Sequence, residues 1–486
     1  MEYIEKIYSY YLTKKQVEKL VLLKKIFVKK SISIKEFCEE SNKTTYQLRN
    51  LLYEIEENIN IFSKQEKPVF TIGKKNIYLT EEMKQEYYLD LFVKLRKTYF
   101  IESPYYQLLI YMFKKRRARV VEISNNLVFS TSYCYKLLRY LRKMLTIQNM
   151  PITLDKNKDT IELNGEEMCI RMHFYLIEIL ANNVYIEVNI RSAIDLLAKE
   201  YEPLRTTKIK HDLMFSIIEN SVTQGYFINS DCSSSIEIFG HLSEMYDETP
   251  VRKALPIRTE KDSRTELIYY YFWAMLFIPE TVTEDEKIIL GGKFISIENN
   301  QIIDFSNSII DKLSEKYELD DNTIHKLVYE IVVNTWGYEN LYLDKFMSKE
   351  NLSLYLDSGK EVEAVVENSL KKSSLNIKNK GLFIQKMGQI IASYVPLQKN
   401  EVLSIGISTL NHPEYISVIK NILLKIYNGT VLHFTEHLEQ ADILVSDGVL
   451  IHSENQEFAF LGNIHNTNDW EHLNTLIQTS IVNRCI

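Results

Sequence analysis

At 486 residues, 45% of them apolar, the chain is long enough for three or more domains with ordinary packed cores. Glycine and proline are few, 14 and 9, which disfavours a glycine-rich enzyme scaffold and favours helices; the five scattered cysteines form no CxxC pair, which argues against a disulfide framework or a zinc site and fits a reducing cytosol. The net charge of −7 hides an asymmetry, because residues 1–165 hold 30 Lys/Arg and 19 Asp/Glu, a balance of +11, and leave −18 on the remainder, the footprint of a nucleic-acid-binding head on a regulatory body.

The opening residues, "MEYIEKIYSYYLTKK", lack a basic segment followed by a continuous apolar core, so no signal peptide is expected. From Ser33 the sequence "SIKEFCEESNKTTYQLRNLLYEIEENI" reads as a short helix lined by Ile34, Phe37 and Cys38, a turn, and a second helix with Leu48, Leu51 or Leu52, and Ile55 facing inward. An extended, β-branched stretch follows, broken at Pro68, with Lys64, Lys67, Lys74 and Lys75 near its bends. Helix, turn, helix and basic hairpin is the order of a winged helix-turn-helix. Candidate DNA contacts are Thr45, Gln47, Arg49 and Asn50 on the second helix, with Lys64 and Lys67 on the hairpin.

The order recurs. Residues 104–150 hold nine basic side chains and one acid, Glu122. In "STSYCYKLLRYLRKML", Cys134, Leu138, Leu141 and Leu145 form an apolar stripe, while Ser132, Lys136, Arg139 and Lys143 share another face. Val120, Val121, Ile123 and Leu127 of the preceding short helix are expected to bury against that stripe. "MPITLDKNKDTIELNG" then reads as a second hairpin. The longer helix is therefore the expected recognition helix. Ser132, Tyr133, Lys136, Arg139 and Lys143 are its candidate contacts, with Arg116, Arg117 and Arg119 before it and Lys156 and Lys158 on the hairpin.

Beyond residue 165 the pattern is mainly helical. The run Leu267 to Ile278 is too short to span a bilayer and reads as a buried helix, so no membrane partner is expected. Segments starting at Lys210 and Ile324 share His-x-Leu-x-aromatic-x-Ile, aligned at His211 and His325, which suggests an internal repeat. His173 reads as structural. From residue 401, strands "EVLSIGI", "TVLHF", "ADILVSDG" and "FAFLG" alternate with helices "HPEYISVIKNILLKIYNG" and "DWEHLNTLIQTSIV", which indicates a small parallel α/β domain. His412, His433 and His437 have no spacing that supports a metal site, and no cofactor is expected.

On these segments the chain resembles the Mga/AtxA class of Gram-positive virulence regulators. The resemblance implies a mainly α protein with five parts: a first winged helix-turn-helix domain over 1–82, a second, Mga-type one over 83–166, phosphotransferase-system regulation domains (PRDs) over 167–288 and 289–396, and an enzyme IIB-like α/β domain over 397–486. It implies a cytoplasmic, homodimeric transcription activator that binds double-stranded DNA, with RNA polymerase as a further contact. It also implies phosphorylation at His211 and His325 by HPr or an enzyme II component. A second PRD histidine is missing from "EDEKIILGGKF", where glycines stand in its place. The loop "ISTLNH" after the first α/β strand lacks the nucleophilic cysteine of IIB enzymes, so no enzyme activity is expected. The alternatives are a PRD-containing RNA-binding antiterminator, whose head would be small and all-β, and a IIB-type phosphotransferase.

Overall fold

The computed structural model describes residues 8–61, 68–80, 85–182, 205–229, 236–243, 259–341, 343–346, 357–395, 402–409, 415–427, 431–435, 437–447 and 456–485. They fall into two compact units, 1–281 with 341–348, and 282–340 with 349–486.

The first unit begins with two copies of one order of elements. In the first copy, helix α1 (Lys14–Lys29) leads through strand β1 (Ser31–Ser33) into α2 (Ile34–Ser41) and α3 (Thr45–Asn60), and strands β2 (Phe70–Ile72) and β3 (Asn76–Leu79) form a hairpin. Helix α4 (Gln85–Glu102) connects to the second copy: α5 (Pro104–Lys115), β4 (Arg117–Arg119), α6 (Val120–Leu127), α7 (Thr131–Ile147), and the hairpin β5 (Ile152–Asn157) and β6 (Thr160–Gly165).

The copies agree in detail. Their antiparallel sheets have the orders β1-β3-β2 and β4-β6-β5, so the short strand before each helix pair closes the hairpin. Lys30 and Arg116 end α1 and α5 with φ of 57° and 58°, and their carbonyls accept from Leu79 N and Leu163 N at 2.8 Å each. The N–H groups that open α2 and α6, on Ile34 and Val120, donate into the hairpin turns at Lys75 O (2.8 Å) and Asp159 O (2.9 Å). Gly165 has φ 147°, and a Cβ there would lie 2.2 Å from Pro151 O, so the hairpin's end requires glycine.

The apolar stripe read from α7 is buried, with Leu137 and Met144 added to it. Val121 does not join it. The buried face of α6 is Val120, Ile123 and Ser124, three and four residues apart, which turns Val121 outward to 57% exposure. Among the described residues four further helices follow: α8 (Glu167–Asn182), α9 (Arg205–Thr223), α10 (Ile236–Ser243) and α11 (Glu260–Phe277). Leu267, Phe272 and Trp273 on α11 are fully buried, and Trp273 meets Tyr175 of α8 edge-on at 5.2 Å. No helix among the described residues is long and apolar enough to cross a membrane.

In the second unit α12 (Glu284–Ile295), α13 (Gln301–Ser314), α14 (Asp321–Asn340), α16 (Asp357–Lys372) and α17 (Lys380–Ala392) pack together; the short α15 (Leu343–Phe346) belongs to the first unit. A four-stranded parallel sheet follows, built from β7 (Leu403–Ser408), β8 (Leu432–Thr435), β9 (Ile443–Ser446) and β10 (Glu457–Phe460), in the order β10-β9-β7-β8. Helices α18 (Tyr415–Ile426) and α19 (Thr467–Cys485) supply Leu423, Leu473 and Ile477 to its core. The β–α alternation is the one read from the sequence.

Candidate nucleic-acid interface

Helix α7 starts where Ser130 Oγ accepts from Tyr133 N at 3.2 Å. Its buried stripe leaves Ser132, Tyr133, Lys136, Arg139 and Lys143 exposed on the other side. Lys136, Arg139 and Lys143 enter no ion pair among the described residues, so their charge is available to a ligand. The hairpin is fixed beside them: Lys156 Nζ stands 4.7 Å from the ring centroid of Tyr135, and Arg142 Nε donates to Leu154 O at 2.5 Å. Lys158 sits exposed at the hairpin tip with φ 57°. The basic helix face and the hairpin lysines thus form one surface suited to phosphate backbone and groove.

Arginines before α6 behave differently. Arg117 Nε lies 3.0 Å from Glu162 Oε1, and Arg119 pairs with Glu122 at 2.9 Å; both remain exposed. Arg116 leaves the candidate set. It is 1% exposed, its Nη2 donates to Glu167 Oε1 and Ser221 Oγ at 2.8 Å each, and its guanidinium lies between the rings of Phe113 and Tyr226. A side chain so enclosed cannot reach DNA. Tyr135 and Arg142, which position the hairpin, carry no signal of their own in the sequence. Both lie on the side of α7 that faces the hairpin, seven residues apart, a spacing that carries meaning only once that packing is known.

The first copy has a weaker surface. Aligning buried Leu48 with buried Cys134 sets Asn50, Tyr53 and Glu57 where the second copy has Lys136, Arg139 and Lys143. Thr45 and Asn50 are exposed, but Gln47 is engaged in a capping box with Thr44, and half-buried Arg49 points its Nη2 at Gly73 O, 3.5 Å away. Glu54 is ion-paired with Lys15 (2.7 Å) and Lys19 (3.0 Å). Lys64 and Lys67 lie outside the described residues.

The two repeat histidines differ in setting. His211, on α9, is 1% exposed, with Nδ1 3.3 Å from the Tyr270 hydroxyl of α11. His325, on α14, is half-buried and packs against α12. A Cβ at Gly291 would fall 1.8 Å from His325 O, and one at Gly292 would be 3.2 Å from the imidazole ring, so the glycine pair lets the two helices close on each other. "EDEKIILGGKF" therefore packs with His325 in the second unit rather than with His211. Lys326, next to His325, is paired with Glu284 at 2.8 Å, and with Lys287 it holds the Glu284 carboxyl below its ordinary range. His173 is buried beside the Tyr11 hydroxyl (3.4 Å), and burial pushes its pKa down to about 4. Among the described residues no three His, Cys, Asp or Glu side chains are grouped to hold a metal ion.

A basic helix-turn-helix face with an adjoining hairpin defines a DNA-binding class of protein. The family model for the Mga helix-turn-helix domain matches residues 91–177, from within α4 through the whole second copy into α8, and it supports a DNA-binding transcription regulator. No curated protein matches the chain.

Proposed function

We propose that the chain is a transcription activator of the Mga kind, with tandem winged helix-turn-helix domains of which the second makes the main contact with duplex DNA. The observation that carries this reading is the unpaired basic face of α7, Lys136, Arg139 and Lys143, set beside Lys156 and Lys158 on one surface. The described head is helix-rich and repeats the helix-turn-helix order, which favours DNA over the RNA hairpin of an antiterminator. The strand-end loop without a cysteine favours a docking role for the α/β domain over phosphotransfer. The protein acts in the cytoplasm, as a dimer, with RNA polymerase as a further contact.

The helical body serves as two PRDs that receive phosphoryl groups from HPr or an enzyme II component. Half-buried His325 is the better-placed acceptor, because a donor reaches His211 only if the contact with Tyr270 opens. Phosphorylation of His325 adds a dianionic group one helical turn from Asp321, with Asp320 just before it and with the neighbouring Lys326 already paired to Glu284.

Binding to duplex DNA over a salt series tests the central claim. If about six phosphates are neutralised, log affinity falls against log salt with a slope of roughly −5. A slope near zero, or tighter binding to hairpin RNA, overturns it. Incubation with phosphorylated HPr and mapping of acid-labile phosphate tests the regulatory part, which fails if neither histidine is labelled by any donor.

A further inference from the structure

Arg116 ends α5 in a left-handed conformation, as Lys30 ends α1. Lys30 does so while exposed, so the motif itself needs no buried cation at this position. Arg116 is nonetheless enclosed, and it opens a chain of charges through the first unit. Glu167 Oε1 accepts from Arg116 Nη2 and from Arg171 Nε, both at 2.8 Å. Arg171, fully buried, grips Glu266 with two nitrogens at 2.5 and 3.1 Å and also donates to Tyr226 O at 2.9 Å. Glu266, 1% exposed, accepts in addition from Ile228 N at 3.0 Å. Two arginines and two carboxylates balance in charge, and each arginine and carboxylate holds another, the arrangement that makes buried ions tolerable. Burial lowers the Arg116 pKa; for Arg171 burial acts the same way, but Glu266 and Glu167 more than offset it.

The chain has two ends. At one, the Arg116 carbonyl accepts from Leu163 N of β6, and Arg117 continues as the strand paired with β6. Ser221 on α9 holds Arg116 directly, and at the other end stands Glu266 on α11. Those same helices bring His211 against Tyr270, four residues along α11 from Glu266.

Resting on the reading of β5–β6 as a DNA-contacting wing, the geometry points to Arg116 as a positioning residue: through Glu167, Arg171 and Glu266 it lets helices α9 and α11 set where the wing stands. The helical body then tunes DNA affinity without touching DNA. Mispairing among these buried charges loosens the β4–β6 end of the hairpin, so that Lys156 and Lys158 hold DNA phosphates less firmly while α7 keeps its place.

The test uses the full chain with Glu266→Gln, remote from the hairpin, and Ser221→Ala, which removes one neutral partner and leaves the ion pairs intact. Amide hydrogen exchange over residues 152–165 is expected to quicken in both, while exchange in the first copy is unchanged. With duplex DNA, Glu266→Gln is expected to lower affinity about tenfold and make the salt slope shallower by about two, one for each of Lys156 and Lys158. In a Lys156→Ala/Lys158→Ala background the same change should add little, because the wing is already released from the DNA. Parent-like exchange in both variants overturns the inference, as does a loss of affinity that simply adds to that of the wing variant. If the parent shows no salt-dependent duplex binding, the proposed function fails, and the exchange measurement still decides whether the charges position the hairpin.

Discussion

The two copies of the helix pair and hairpin share an order of elements and differ in what they present. Both bury an apolar stripe of the longer helix and cap its first turn by a hydroxyl, Thr44 in one and Ser130 in the other. On the exposed side the second carries Lys136, Arg139 and Lys143, while the first carries Asn50, Tyr53 and Glu57. One order of elements is thus built twice, and among the described residues the basic helix face stands on the second copy. Core positions set the fold; the solvent-facing positions between them are free to diverge and set the partner.

Exchanging those faces would break the comparison. Lys136→Ala with Arg139→Ala should weaken duplex binding by about 1–3 kcal/mol for each side chain that grips a base edge in bidentate fashion, and by less where the side chain grips a phosphate. Asn50→Ala with Tyr53→Ala should change it by less than about 0.5 kcal/mol, the range of ordinary surface substitutions. Equal weakening by titration would show that both copies read DNA.

The copies also meet α8 differently. The second does so through Arg116 and Glu167, whereas Tyr11, ahead of α1, reaches His173. His173 has a folded pKa of about 4, below its unfolded value near 6.5. Above pH 6.5 both states are neutral and the group contributes nothing. As pH falls from 6.5 to 4 the unfolded chain takes up a proton that the folded chain does not, so stability drops by about 3 kcal/mol. Denaturant melts over that range should show the fall, and His173→Gln should flatten it.

Giving α3 the charges of α7 sharpens the contrast. Asn50→Lys, Tyr53→Arg and Glu57→Lys together should steepen the salt slope by about 0.9 for each new phosphate contact. An unchanged slope would mean that α3 does not face DNA at all.

The smallest expected effect concerns the turn. Asn42 and Val128 occupy the same left-handed position, φ 52° and 56°, after α2 and α6. Asparagine tolerates that conformation, and a β-branched residue is strained there. Val128→Asn should therefore raise thermal stability by about 1 kcal/mol and Asn42→Val should lower it by a similar amount.

Periodicity along the chain determined much by itself. The four-three-four spacing of Cys134, Leu138, Leu141 and Leu145 marks a helix and its buried side, which leaves Lys136, Arg139 and Lys143 outward. The strand–helix alternation after residue 401 marks the parallel sheet, since both patterns are signals read from near neighbours. Tertiary structure decided the rest. Strands β1 and β4 have three residues each and exist because β3 and β6 offer them partners. In the sequence Arg116 is one more cation in a basic run. Its burial depends on Glu167 and Ser221, 51 and 105 residues away. The glycines of "EDEKIILGGKF" stand where a histidine is expected, and packing makes them the notch into which His325 closes. A charge or a glycine has no periodicity to declare its role; what it does is set by which distant groups the fold brings within a few ångströms.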